Sequence, residues 1–260
     1  MKITVVTPTI RKEGLDVVKK ALKAQSFTEY EWLIGSSFDP EIEEAIWVKD
    51  DFKDGYWTLN RIYNRLFEHA RGELIVSLQD WIWVQKDGLE KFWTNYEATE
   101  KKAVISGVGD QYERLNKWGK PEIKIWSDPR KNLENGSFYE CYPNDAEWNW
   151  CAIPMQAIID AGGMDEGLDF LGYGGDQLQI STRIDELGYK FFLDQTNESF
   201  TVRHSRDDFG GQEAWDKDHV LFNGKYDQRI MELQRTGHWP TLQKHTAILY
   251  KKIGEIPTVV

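Results

Sequence analysis

The stretch "NRLFEHARGELIVSLQD", residues 64–80, decides the fold. Its first half continues an amphipathic helix that begins "NRIY" at Asn60 and is closed by Gly72. Its second half is an apolar strand that ends in a carboxylate, Asp80. The same unit recurs upstream. "KITVVTP" (2–8) is a β-branched run, "GLDVVKKALKAQSF" (14–27) puts Leu15, Val18 and Leu22 on one helical face, and "YEWLIGSS" (30–37) is a second strand. Strands that alternate with helices in this way predict an α/β fold: a Rossmann-like, mixed but mainly parallel sheet flanked by helices. In such sheets the functional site lies beyond the carboxyl ends of the strands, where Pro8 and Asp80 fall.

Further along, "GLEKFWTNYEATEKK" and "AVISGVG" continue the pattern to residue 109, and residues 110–145 then turn polar and proline-bearing. That region reads as a long irregular loop with a small hairpin at "PEIKIWS" (121–127). A second block follows: "EWNWCAIP", the helix "MQAIIDAGG", the turn "FLGYGGD", the helix "QLQISTRIDELG", and two strands, "YKFFLD" and "SFTVRHS". The expected organisation is one domain over 1–207, in two halves at about 1–109 and 146–207 joined by the 110–145 loop. A helical extension over 208–260 completes it.

Composition narrows the function classes. A formal charge of −11 opposes non-specific nucleic-acid binding, which needs a basic stripe. No apolar run is long enough for a membrane span, and the N-terminal apolar run lacks a small-residue cleavage site. The two cysteines, Cys141 and Cys151, have neither framework number nor metal-ligand spacing, so a cytoplasmic protein is expected, with peripheral membrane contact through the tail left open. The 12 tryptophans include the pairs "WIW" (81–83) and "WNW" (148–150), and their flat rings serve either as core or as platforms for sugars.

Three positions at element ends carry chemistry. Asp80 ends a strand, Asp176 opens a helix after a glycine turn, and His204 lies in "TVRHSRD" (201–207) between Arg203 and Arg206. Guanidinium neighbours keep an imidazole neutral and able to ligate a metal, while the arginines suit phosphate oxygens.

Taken together, these segments resemble nucleotide-sugar-dependent glycosyltransferases of the family 2 and beta-1,4-galactosyltransferase type, with the GT-A fold. "TVVTPTI", "VVKKALKAQSF" and "EWLIGSS" resemble the family's opening strand, helix and strand. "NRLFEHARGELIVSLQD" resembles the helix and strand that deliver its metal-binding aspartate motif, "AGGMDEGLDFLGYGGDQLQISTR" its glycine-aromatic-glycine-glycine segment, and "TVRHSRD" its metal-binding histidine segment. The resemblance implies Asp80 and His204 as ligands to Mn²⁺ or Mg²⁺ and Asp176 as the general base. It also implies a UDP-sugar donor of the hexose or N-acetylhexosamine class, a saccharide or glycolipid acceptor, and inverting transfer.

The donor would be held by Thr7, Pro8, Thr9, Arg11, Ser36, Asp39, Arg61, Gln79, Arg203 and Arg206. The acceptor side would be formed by Trp150, Tyr173, Gly174, Gly175 and Gln177. The pattern departs from the family where Leu78-Gln79-Asp80 keeps one carboxylate of Asp-x-Asp and where Thr201 replaces a ligating methionine. Those losses motivate a second reading, a carbohydrate-binding protein on an eroded transferase fold. A nucleotidyltransferase ranks last, because no lysine-bearing glycine loop follows the first strand.

Overall fold

The computed structural model describes residues 1–50, 59–116, 121–131, 136–166 and 176–202. The first half runs β1 (Ile3–Pro8), α1 (Leu15–Lys23), β2 (Tyr30–Ser36), β3 (Ile46–Lys49), α2 (Leu59–His69), β4 (Leu74–Leu78), β5 (Ile82–Val84) and α3 (Gly88–Ala98). The second half runs β6 (Ala103–Leu115), β7 (Pro121–Ser127), β8 (Phe138–Glu140), β9 (Trp150–Pro154), α4 (Met155–Asp160), α5 (Asp176–Glu186) and β10 (Lys190–Val202). One sheet has the order β3-β2-β1-β4-β9-β6-β10-β5, with β7 on β6 and β8 on β10. The four strands β3-β2-β1-β4 are mutually parallel, and β9 joins β4 antiparallel.

The early strands are apolar at nearly every position because both faces of the sheet are covered. Val6, Leu33, Ile75 and Ile153 point to a core shared with Tyr63, Leu66 and Phe67 of α2 and with Ile180 and Ile184 of α5. Their neighbours Val5, Ile34, Val76 and Ala152 point the other way, to Leu15, Val18 and Leu22 of α1 and Phe92 and Trp93 of α3. The period-2 alternation of the strands thus sorts residues between two helical layers. From β1 the chain steps outward through β2 and β3, then returns to the other side of β1 as β4. That reversal is a topological switch point beyond Pro8 and Leu78, the place at which open sheets of this kind bind ligands.

The structure corrects two expectations. Within 110–145, β8 occupies Phe138–Glu140, and β6 extends to Leu115 and pairs antiparallel with β7. This ribbon leaves the core, so its stabilising pairs are ionic and cross-strand, Arg114 with Glu122 and Lys124 with Asp110, and no hydrophobic period marks it. Likewise "YKFFLD" and "SFTV" are one strand, β10, with a register shift between Asp194 and Glu198. The shift turns Asn197 inward, where its amide donates to the Gly88 carbonyl at 3.0 Å and accepts the Trp150 indole N–H at 3.2 Å. The expected extension over 208–260 lies outside the described residues.

Candidate active site

The switch point carries Asp80, which is 6% exposed just past β4. The first loop after β1 folds onto it. The Thr9 backbone N–H continues the β2 pairing by donating to the Gly35 carbonyl at 2.9 Å, and the Thr9 hydroxyl donates to Asp80 Oδ2 at 2.6 Å. Arg11 then grips the carboxylate with two nitrogens, Nη2 to Oδ1 at 2.5 Å and Nε to Oδ2 at 3.0 Å. The Arg11 backbone N–H in turn donates to the Thr9 hydroxyl oxygen at 2.9 Å, so loop and side chain are fixed together.

The next residue, Trp81, adopts a left-handed conformation with φ 63°. Its N–H donates to the Gly14 carbonyl at 3.2 Å, and its own carbonyl accepts the N–H of Val202 at 3.3 Å. A Cβ on Gly14 would lie 2.6 Å from the Trp81 ring and 2.9 Å from Asp80 Cβ, so only glycine permits this approach. The bond to Val202 brings the end of β10 beside Asp80. His204, Arg203 and Arg206 continue from that strand and lie outside the described residues.

A relay links Asp80 to the second block. The N–H of the half-buried Gln79 donates to the Asn149 carbonyl at 3.1 Å, and the N–H of Trp148 donates to Gln177 Oε1 at 2.9 Å. Asp176 precedes Gln177 as the first residue of α5, so Asp80 and the start of α5 flank the 148–149 segment. Tyr173, Gly174 and Gly175 fall outside the described residues, as does the Asp176 side chain. The turn that leads towards them is anchored from two sides. Asn64 of α2 exchanges hydrogen bonds with the Met164 backbone, and buried Arg183 of α5 donates to the carbonyls of Ala161 and Gly163. Burial holds the Arg183 guanidinium down to about 10, against the opposing charges of Asp165 and Glu186.

The outer rim lies at β2 and β3. Thr7 is buried and accepts the Trp32 indole N–H at 2.9 Å, and Ser36 donates to the Phe38 carbonyl at 2.6 Å, so both hydroxyls serve the scaffold. Asp39 is exposed and accepts the N–H of Glu41. Arg61 is not a solvated helix arginine, for it donates from Nη2 to Asp50 Oδ1 at 2.6 Å. Asp50 is 4% exposed and follows β3, with its N–H on the Ser36 carbonyl. The sequence reading missed it, although an acid directly after the strand "IWVK" was a usable signal.

Trp150 is a correction. It is 1% exposed, its ring lies 4.5 Å from Phe92, and glycines 88 and 107 make room for it. A ring enclosed in this way offers no face to a sugar.

No protein-family model and no curated protein sequence matches the chain. Solved structures do. The crystal structure of GalNAc-T7 with UDP, GalNAc and Mn²⁺ superposes with a TM-score of 0.58 at 12% identity, covering 79% of this chain and 44% of that one. That of S. aureus TarS gives 0.59 at 12% identity, covering 85% and 39%, and its 1–349 fragment gives 0.57 at 12%, covering 97% and 71%. The fold is GT-A. This chain therefore spans less than half the length of the first two GT-A structures it matches. In the GT-A arrangement Asp80 lies at the sheet's switch point, where this architecture binds ligands.

Proposed function

We propose that the protein is a glycosyltransferase that moves a hexose or N-acetylhexosamine from a UDP-sugar to a saccharide acceptor with inversion. The observation that carries this reading is the buried Asp80 carboxylate at the switch point, in a fold shared with a structure that holds UDP, GalNAc and Mn²⁺. The Asp80 carboxylate is the oxygen type of ligand that a hard divalent ion takes. Asp80 offers carboxylate oxygens, and of about four lone-pair positions three accept hydrogen bonds from Arg11 and Thr9. Among the described residues no cluster of three or more His, Cys, Asp or Glu surrounds a metal-sized space, so Asp80 would share Mn²⁺ or Mg²⁺ with His204 and diphosphate oxygens. Such an ion supplies Lewis-acid stabilisation of the leaving diphosphate.

The protein's own residues do the rest. Asp176 accepts the proton of the acceptor hydroxyl as that oxygen bonds to the anomeric carbon. The bond from the anomeric carbon to the phosphate oxygen breaks, and UDP leaves with the electron pair. Arg203 and Arg206 hold the phosphates, while the exposed Asp39 and the part-exposed Arg61, held by Asp50, form the rim on the nucleoside side.

Thermal unfolding with UDP or UDP-sugars, with and without Mn²⁺, tests the reading. A ligand at about 100 times its Kd stabilises by about 2.7 kcal/mol. A shift that needs nucleotide and metal together supports the transferase, and its loss in His204→Ala supports the ligand assignment. Sugar binding with no uridine-nucleotide shift would leave the eroded, carbohydrate-binding reading instead.

A further inference from the structure

We propose that Arg11 makes this site selective for a divalent cation already chelated by a nucleoside diphosphate, over the free ion. The inference rests on the nucleotide-sugar reading of the site and goes beyond it by assigning the order of occupation.

The argument starts from the ion pair. Arg11 and Asp80 have side chains only 16% and 5% exposed, so water screens their attraction weakly. The contact is forked, with a separate nitrogen on each carboxylate oxygen, and Thr9 adds a third hydrogen bond on Oδ2. The carboxylate that would ligate a metal is therefore already neutralised by a cation of the chain itself. A free divalent ion arriving at Asp80 meets the guanidinium charge as a like-charged neighbour. It must either displace Arg11 or accept that repulsion.

A nucleotide-bound ion meets a different situation. The complex of a divalent cation with UDP is net anionic, so the same guanidinium attracts it. A phosphate presents oxygens at the spacing of a carboxylate, and guanidinium binds both in the same two-pronged way. Arg11 can exchange Asp80 for a phosphate oxygen without losing its counter-charge, which frees Asp80 Oδ1 and leaves Oδ2 with the Thr9 hydrogen bond alone at the moment the metal arrives. The Arg11 N–H on Thr9 Oγ1 holds the backbone at the base of this side chain.

The test is Mn²⁺ retained with the protein in equilibrium dialysis, with and without UDP at equal concentration in both chambers, so that chelation by UDP itself cancels. It is run on the full chain and on Arg11→Met, Arg11→Lys and Asp80→Asn, with folding checked by circular dichroism. The unaltered chain is expected to bind Mn²⁺ weakly alone and tightly with UDP. Arg11→Met is expected to bind Mn²⁺ alone about tenfold more tightly than the unaltered chain, equivalent to ~1.4 kcal/mol, and to gain less from UDP. Arg11→Lys keeps the charge but loses the fork and should fall between them, which decides the matter if the methionine variant does not fold. Asp80→Asn should bind poorly throughout. Nucleotide-dependent Mn²⁺ binding that is identical in the unaltered chain and the folded Arg11 variants would overturn the role of Arg11 alone. No Mn²⁺ binding by any folded chain, even with UDP, would overturn both this role and the metal site beneath it.

Discussion

The amide oxygen of Gln177 accepts the backbone N–H of Trp148 at 2.9 Å. Trp148 is fully buried, with its ring edge-on to Tyr63 at 5.8 Å and its carbonyl bonded by the Ser77 hydroxyl of β4. One side chain therefore ties the first turn of α5, where Asp176 sits, to the strand that delivers Asp80. Gln177, expected on the acceptor side, has this anchoring function. Gln177→Leu leaves the Trp148 N–H without that acceptor and should cost about 1–2 kcal/mol in urea denaturation, while a UDP-dependent thermal shift survives.

Asp176→Asn tests the base directly. The change preserves size and removes the proton acceptor, so transfer to a saccharide should fall by a factor of about 10² or more. Nucleotide affinity, measured by calorimetry with UDP and Mn²⁺, should stay within about twofold. Unimpaired transfer would remove the assignment and turn attention to Asp145 and Glu147.

Trp150 should behave as core. Trp150→Ala empties a site enclosed by Phe92, Gly88, Gly107 and Asn197, and is expected to cost about 3–5 kcal/mol. Trp150→Phe keeps most of the volume but leaves the Asn197 amide oxygen without the indole donor, so a smaller loss is expected. A sugar-contact role predicts the opposite pattern, normal stability with a raised acceptor KM, and denaturation and kinetics together separate the two.

These cases show which features the sequence carried and which it did not. The helix and strand over 64–80 were legible because α2 and β4 each have a continuous core to meet, so their periodicities are full. Asp80 was legible because it ends such a strand. Its union with Arg11 was not, since the two are 69 residues apart and the contact exists only once β1 and β4 lie side by side. The β6–β7 ribbon was read as irregular because it buries neither face, and its order comes from paired charges that no local pattern announces. Trp150 was assigned to the acceptor side because its burial depends on two glycines and a phenylalanine from other elements. Asp50 was overlooked for want of its partner, Arg61, which arrives on the following helix.

Acid should weaken the fold through a definable group. Burial pushes the Asp128 carboxyl up, but hydrogen bonds and charge from Arg130 outweigh it and hold the group below the ordinary carboxylate range. Lys124 and Lys131 do the same for Asp110. A folded-state value below the unfolded one means that the unfolded chain binds more protons as pH falls. The stabilisation is therefore complete above about pH 4.5 and is lost as pH drops through the lowered value. Asp128→Asn leaves the largely buried Arg130 with only the longer, half-exposed Glu147 ion pair at 3.5 Å and should cost about 2–3 kcal/mol at pH 7. Urea midpoints from pH 7 down to about pH 3 should show the gap between variant and unaltered chain closing on the acid side. A gap that stays constant would mean that Asp128 and Arg130 contribute by packing alone.

The tightest geometric demand at the site falls on Gly14, and Gly14→Ala should expose it. The added methyl meets the Trp81 ring at 2.6 Å and Asp80 Cβ at 2.9 Å, too close for van der Waals contact. Neither neighbour can retreat freely. The Trp81 backbone is bonded on both sides, to Gly14 and to Val202, and Asp80 is gripped by Arg11 and Thr9. Overpacking of this kind costs about 1–3 kcal/mol, and the displacement must fall on the turn that aims the carboxylate. The variant should therefore fold with a lowered midpoint and lose most of the shift produced by UDP with Mn²⁺. A variant that loses stability yet keeps the full nucleotide shift would mean that the Asp80 turn is not part of the donor site.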